Sequence, residues 1–326
     1  MTSKAPVFSS QSSIYVAGHR GLVGSALVRC MEAKGFTNMI KRTHAELDLM
    51  DQTAVRAFFE KERPEYVFLA AAKVGGIQAN NDYPAEFIHQ NLIVQSNVIH
   101  QAWQTGVKRL LFLGSSCIYP RDCQQPMKEE YLLTGPLEST NRPYAVAKIA
   151  GIEMCWAYNR QYKTKYLSVM PTNLYGPGDN YDLQNSHVLP ALIRKMHEAK
   201  VGNKKTMVAW GTGTPCREFL YSDDMADACV YLMSLDEVSF DQLLNDDVPP
   251  LINIGCGKDL TIRELVALVK EVVGFAGVIE WDSSKPDGTP RKLLDVSRLF
   301  AQGWQPQVEL TKGVKKAYDD FLKSRV

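Results

Sequence analysis

Three glycines at a fixed spacing constrain this chain more than any other feature. Gly18-His-Arg-Gly21-Leu-Val-Gly24 joins the apolar run Ser13–Ala17 (SIYVA) to an amphipathic stretch, Leu22–Lys34. A strand, a tight turn and a helix in that order leave the first helical N–H groups unpaired at the turn. Glycine there allows a sharp turn, close approach of a pyrophosphate and contact of helix on strand, while the helix N-terminus attracts the anion. A glycine triplet alone is weak evidence; its place between strand and helix makes it informative.

Further apolar runs alternate with helical periods. Met39–Lys41, Tyr66–Ala70 (YVFLA), Leu110–Leu113 (LLFL) and Leu167–Met170 (LSVM) predict strands, most of them apolar on both faces as a buried parallel sheet requires. Thr53–Lys61, Ala85–Gln104 and Tyr144–Tyr162 predict the intervening helices. Such alternation means right-handed crossovers and an α/β fold with a doubly wound, mainly parallel sheet of Rossmann type. After Met170 the pattern loosens. Pro171–Asn180 (PTNLYGPGDN) reads as turns that cannot continue a strand. Then come a helix near Leu189–Ala199, a strand at Met207–Trp210, a strand and helix in REFLYSDDMADACVYLMSL with Asp223 as N-cap, a strand at Leu251–Gly255 (LINIG) and a helix near Ile262–Val273. This predicts a nucleotide-binding domain, 1–175 plus about 216–258, and a smaller interleaved C-terminal substrate domain, about 176–215 plus 259–326, with a ligand between them.

Composition removes other classes. With 37 Lys+Arg against 36 Asp+Glu among 326 residues, there is no global field for nucleic acid or an anionic membrane, so any anion needs a local site. No apolar run reaches the ~18 residues of a membrane span. The opening MTSKAPVFSSQS reads as a loose polar tail without a secretion signal. Seven scattered cysteines (Cys30, Cys117, Cys123, Cys155, Cys216, Cys229, Cys256) include no CxxC pair, which argues against a disulfide framework or a metal site and for a cytoplasmic protein.

Tyr144-Ala-Val-Ala-Lys148 sets a phenol and an ammonium one helical turn apart, with Asn141 as a possible cap and Pro143 at the helix start. A phenol of ordinary pKa ~10 is a poor proton donor and acceptor near neutrality, and a lysine cation is expected to lower it. Ser115-Ser116-Cys117 closes the fourth apolar strand, at the carboxyl edge where open α/β sheets bind ligands. About 20 residues past the glycine loop, where an NAD-binding chain carries an acid, Lys41-Arg42-Thr43-His44 stands instead. With Arg20 close by, these cations favour a 2′-phosphate and hence NADPH/NADP+.

The glycine spacing and the Tyr144/Lys148 pair resemble the extended short-chain dehydrogenase/reductase superfamily. That resemblance implies that Ser115 is a third catalytic residue and that Asp48 and Leu49 contact adenine. Longer strings go further: AGHRGLVG (17–24), LAAAKVGGI (69–77), GSSCIYP (114–120), MPTNLYG (170–176), NSH (185–187) and KPDGTPRKLLD (285–295) resemble the GDP-L-fucose synthase family, from about Ile14 to the final helix. The resemblance implies a GDP-4-keto-6-deoxy-D-mannose substrate epimerised at C3 and C5 and then reduced by NADPH at C4. Catalytic roles fall on Ser115, Cys117, Tyr144, Lys148 and His187, with Cys117 and His187 as the acid–base pair for epimerisation. The cofactor would touch Gly18, Arg20, Gly21, Leu22, Val23, Gly24, Arg42, His44, Asp48, Leu49, Ala70, Ala71, Ala72, Tyr144, Lys148, Pro171, Asn173, Leu174 and His187. The GDP-sugar would touch Asn173, Val188, Lys195, Trp210, Arg217, Asp287 and Lys292. A homodimer through Ala85–Gln104 and Tyr144–Tyr162 is implied as well. Histidine stands at 44 where some relatives carry arginine, and a neutral imidazole is the weaker anion ligand.

Two other readings share parts of this pattern. A nucleotide-sugar 4-epimerase or dehydratase with retained NAD would use the same Ser115, Tyr144 and Lys148. A dehydratase, however, is expected to carry an acid beside the catalytic hydroxyl, where Ser116 and Cys117 stand. A binding-only nucleotide module has no use for a tuned phenol.

Overall fold

The computed structural model describes residues 8–183, 186–285 and 287–323, with the backbone alone at 77 and 78. Asn185, Pro286 and the first seven residues of the expected tail thus lie outside the described residues. The chain runs β1 (Ile14–Ala17), α1 (Leu22–Ala33), β2 (Met39–Ile40), α2 (Gln52–Glu62), β3 (Tyr66–Leu69), α3 (Ile77–Asp82), α4 (Pro84–Gln104), β4 (Arg109–Leu113), α5 (Arg142–Tyr162) and β5 (Tyr166–Pro171). It continues through β6 (Asn173–Tyr175), α6 (Val188–Val201), β7 (Thr206–Trp210), β8 (Cys216–Tyr221), α7 (Ser222–Ser234), α8 (Glu237–Asp241) and β9 (Leu251–Ile254). The last elements are β10 (Asp259–Thr261), α9 (Ile262–Val273), β11 (Val278–Asp282), β12 (Arg291–Lys292), α10 (Ser297–Ala301) and α11 (Leu310–Lys323).

A six-stranded sheet in the order β2-β1-β3-β4-β5-β9, parallel throughout, forms the centre. Its strands are apolar on both faces because both faces are covered. Ile14, Val16, Tyr66, Phe68 and Leu111 enter one core, and Tyr15, Ala17, Val67, Leu69 and Leu110 enter the other. The chain leaves β1 for β2 on one side and returns to β3 on the other, so the strand order reverses at β1/β3, where such sheets bind ligands. A third core joins Tyr175, α6, β7, Phe219 and Tyr221 of β8, α9 and α11. Around it, β8 pairs with β6, β10 and β12, and β7 pairs with β11. Among the described residues no helix is long and apolar enough to cross a membrane.

Four expectations need correction. The tail is not loose from Phe8 onward: Phe8 is buried against Phe36, Tyr66 and Phe68, a burial worth roughly 2 kcal/mol. Pro171–Asn180 does contain a strand, β6, because Asn173–Tyr175 leaves the central sheet and pairs with β8. Asp223 does not cap α7; Tyr221 holds that position without a side-chain bond, and Asp223 in the first turn pairs with Arg29 at 2.5 Å. Asn141 precedes α5, yet its side chain caps nothing and its Oδ1 is buried without a partner.

Candidate active site

The glycine loop sits at the reversal point. Gly18 adopts φ +83°, and a Cβ there would lie 2.7 Å from the Ala71 amide nitrogen, so the turn presses directly on the Ala70–Ala72 segment that follows β3. A Cβ at Gly24 would lie 2.0 Å from the Gly18 carbonyl oxygen, which is how α1 packs against its own turn. Gly21 is different: a Cβ there would meet nothing nearer than the Gly18 oxygen at 3.5 Å. Gly21 caps α1 without a side-chain bond, Leu22 and Val23 form the first turn, and the buried Nδ1 of His19 has no partner. Uncapped helical N–H groups, open space above Gly21 and an unsatisfied imidazole nitrogen fit a dinucleotide pyrophosphate.

Around this loop stand the expected adenosine-end residues. Arg20 and His44 are exposed, the latter with Nδ1 3.7 Å from Asp48 Oδ1. Arg42 is held: Nη2 donates to Glu62 Oε1 at 2.9 Å, Nη1 donates to the Lys41 carbonyl at 2.9 Å, and the guanidinium lies over the Phe58 ring. Leu49 is buried, and its carbonyl accepts from Asn97 Nδ2 at 2.9 Å. The segment after β3 is fixed by a residue that sequence reasoning missed. Asn91 of α4 accepts from the Lys73 amide at 3.1 Å and donates to the Lys73 carbonyl at 3.0 Å. Its signal was a buried amide four residues from Phe87 and from Gln95 on one helical face.

At the carboxyl end of β4, Ser115 caps a short 3₁₀ turn, Ser116–Ile118, its Oγ accepting from the Cys117 amide at 3.4 Å. The Ser115 hydroxyl also faces the Tyr144 phenol, which α5 brings across from the next crossover. Lys148, one turn on, is 3 % exposed; its Nζ donates to the Leu113 carbonyl at 2.7 Å and lies 5.8 Å from the Tyr144 ring centroid. The structure brings Ser115, Cys117, Tyr144 and Lys148 into one cluster, with Cys117 and Lys148 buried and Ser115 and Tyr144 half-buried. Charge in this cluster behaves otherwise than expected. Burial pushes the Tyr144 phenol well above its ordinary range, Cys117 adds to the rise, and the Ser115 hydroxyl is what offsets it. Burial likewise pulls the Lys148 ammonium down to about 8. The phenol thus lies above its ordinary range and not below it as expected, because burial dominates and Lys148 is not among the groups that lower it. Burial also raises the Cys117 thiol, against Ser115, Lys292 and Lys148, which lower it.

The remaining site residues come from the second sheet and its helices. Pro171 ends β5; Asn173 and Leu174 lie in β6, with Asn173 Nδ2 donating to the Glu218 carbonyl at 2.8 Å. His187 precedes α6 as its cap, without a side-chain bond, and is exposed. Among the described residues no hydrogen bond or ion pair joins His187 to Cys117 or Tyr144. Val188 opens α6 and is partly exposed. Trp210 is exposed, with the ammonium groups of Lys195 and Lys285 over its ring at 4.4 and 5.5 Å. Asp287 accepts from the Thr212 amide and hydroxyl, both at 2.7 Å, and lies near Arg217. Arg217 and Lys292 are register partners on β8 and β12, and Lys292 lines one cavity with Cys117 and Glu138. β12 is only two residues long, Arg291–Lys292.

Comparison with known proteins matches this architecture. Residues 14–245 match the model of the NAD dependent epimerase/dehydratase family. The chain is 58% identical to GDP-L-fucose synthase 1 of Arabidopsis thaliana, over 96% of this chain and 94% of that protein. It is 54% identical to the GDP-L-fucose synthase of Escherichia coli (strain K12), over 97% of this chain and 98% of that one. A solved GDP-L-fucose synthetase from Naegleria fowleri bound to NADP superposes with a TM-score of 0.86 at 27% identity, covering 98% of this chain and 96% of that chain. With a sheet, a glycine turn and a full-length likeness that agree, the chain belongs to the NAD dependent epimerase/dehydratase family and, within it, to the GDP-L-fucose synthases.

Proposed function

We propose that this protein converts GDP-4-keto-6-deoxy-D-mannose to GDP-L-fucose by epimerisation at C3 and C5 followed by reduction at C4 with NADPH. The observation that carries this reading is the convergence of Ser115, Cys117, Tyr144 and Lys148 in one cluster, with Lys292 of the second sheet lining the Cys117 cavity. Residues 1–175 and about 216–258 serve the cofactor, and about 176–215 and 259–326 serve the GDP-sugar. The third core, built from α6, β7, α9 and α11, supports this division in part: Phe219 and Tyr221 of β8 join it, while Leu299 of α10 and Trp304 pack into a core of the central sheet.

The ketone at C4 acidifies the protons on both flanking carbons. Cys117 and His187 remove and return those protons from opposite faces, and a neutral imidazole suits the base half of that work. Ser115 and Tyr144 hydrogen-bond the carbonyl oxygen, stabilising first the enolates and then the developing alkoxide. The glycine loop and Lys148 would hold NADPH, which would supply the hydride for C4. Tyr144 then gives its proton to the oxygen, a role suited to a phenol that burial keeps protonated through neutral pH. Gly18–Gly24, Ala70–Ala72, Asp48, Leu49, Pro171, Asn173 and Leu174 line the cofactor. Arg20, Arg42 and His44 face its 2′-phosphate, with Arg42 preset by Glu62. Val188, Lys195, Trp210, Arg217, Asp287 and Lys292 hold the GDP-sugar, and α4 with α5 forms a homodimer interface, on which Val146 and Tyr162 are exposed.

The test is incubation with GDP-4-keto-6-deoxymannose and NADPH. Stoichiometric loss of NADPH absorbance with formation of GDP-L-fucose supports the reading; turnover without added reductant, with NAD copurifying, overturns it in favour of a 4-epimerase. The low Lys148 pKa adds a pH prediction. An ammonium with a depressed pKa loses its proton earlier on the alkaline side, so kcat/KM falls as pH rises through about 8. A profile flat to about pH 10, the ordinary lysine range, contradicts that role for Lys148.

A further inference from the structure

Glu218 on β8 is fully buried, at 0% exposure, one residue from Arg217. A carboxylate so placed needs partners, and those of Glu218 are backbone amides in place of a cation. Oε1 accepts from the Gly257 amide at 2.7 Å and Oε2 from the Leu294 amide at 3.0 Å. The approach is so close that a Cβ on Gly255 would lie 2.2 Å from Oε1. The main-chain carbonyl of Glu218 accepts from Thr172 Oγ1 at 3.1 Å and Asn173 Nδ2 at 2.8 Å. One residue therefore ties together the β5–β6 junction, β8, the turn after β9 and the segment leaving β12. Those segments carry Asn173, Arg217 and Lys292. A two-residue strand such as β12 has almost no pairing of its own to fix its register. Leu294 stands two residues beyond Lys292, so a fixed Leu294 amide sets the facing of Lys292 in the cavity it shares with Cys117.

We propose that Glu218 is a positioning residue of the site: its two carboxylate oxygens lock β12 against β8 so that Lys292 faces Cys117 beside Arg217. The inference rests on the reading that Cys117 shuttles protons. The groups around the thiol are Ser115, Tyr144, Lys148 and Lys292, and those around Lys292 include Arg217 and Glu138. Both oxygens must accept, and a neutral amide has only one oxygen, so Glu218→Gln sets an NH2 against one of the two N–H donors and frees one anchor.

The experiment measures Glu218→Gln and Glu218→Asp in the full chain by three readouts. The first is the pH dependence of Cys117 alkylation by iodoacetamide, followed on the Cys117 peptide by mass spectrometry. The others are KM for the 4-keto GDP-sugar and NADPH affinity. The Gln variant is expected to shift the alkylation midpoint upward by about one unit as the Lys292 cation moves away. Its KM should rise on the order of tenfold or more, with NADPH affinity unchanged and the Asp variant in between. An unchanged alkylation profile and KM, or NADPH affinity lost in parallel with KM, overturns the proposal. If the Gln variant does not fold, the Asp variant decides by the same criteria. Alkylation needs neither sugar nor cofactor, so a shifted profile beside an inactive wild type would reject the proposed reaction and leave the positioning role standing.

Discussion

Replacing Tyr144 with phenylalanine is expected to slow carbonyl reduction by about 10²–10⁴-fold, the usual contribution of a placed general acid. The reason lies in the direction of the phenol's shift. A hydroxyl held protonated by burial and facing Ser115 is a proton donor for whatever oxygen enters that cluster. Phenylalanine keeps the ring, including its edge contact with Phe87 at 6.0 Å, and removes only the proton source. NADPH affinity should therefore hold while kcat collapses. Solvent exchange at C3 and C5 should fall less, because Ser115 still bonds the enolate oxygen. Stopped-flow reduction and exchange followed by NMR check both halves. Equal turnover in the variant would remove Tyr144 from the mechanism.

The second large effect concerns Cys117. Cys117→Ala should suppress solvent deuterium exchange at one of the two flanking carbons by about 10²-fold or more, with exchange at the other retained through His187. The thiol is 8 % exposed and burial raises its pKa, so it is a thiol at rest, and Lys292 and Lys148 are the cations that make deprotonation accessible. Truncation keeps the residue-117 amide that bonds Ser115 Oγ and leaves Tyr144 and Lys148 untouched, so NADPH binding should not move. Exchange at wild-type rate at both carbons would show that the thiol carries no proton in the reaction.

Much of this molecule was legible before any coordinates. Ile14–Ala17, Tyr66–Leu69 and Arg109–Leu113 show as strands because each face of the central sheet is covered, which forces unbroken apolar runs. The glycine triplet and the Tyr144/Lys148 pair are legible because turn geometry and helical spacing are local properties. What was hidden is long-range or depends on burial. Glu218 bonds Gly257 and Leu294, 39 and 76 residues away. Asn253 in β9 is buried and bonds Tyr119, Met127 and Asp295. β6 and β12 are too short, and too close to proline and glycine, to leave a period in the sequence. The direction of the phenol shift was misjudged for the same reason. A helical turn places a cation near Tyr144, but only the folded core reveals that desolvation is the larger influence.

One measurement tests the central claim, that a single carbonyl serves two inversions and a reduction in one site. Wild-type protein is given GDP-4-keto-6-deoxymannose in deuterated water with NADPH carrying protium, and the product is read by NMR. The expected result is GDP-L-fucose with solvent deuterium at C3 and C5 and protium at C4. A product labelled at neither flanking carbon, or a sugar inverted at C4 alone with no NADPH consumed, would contradict it.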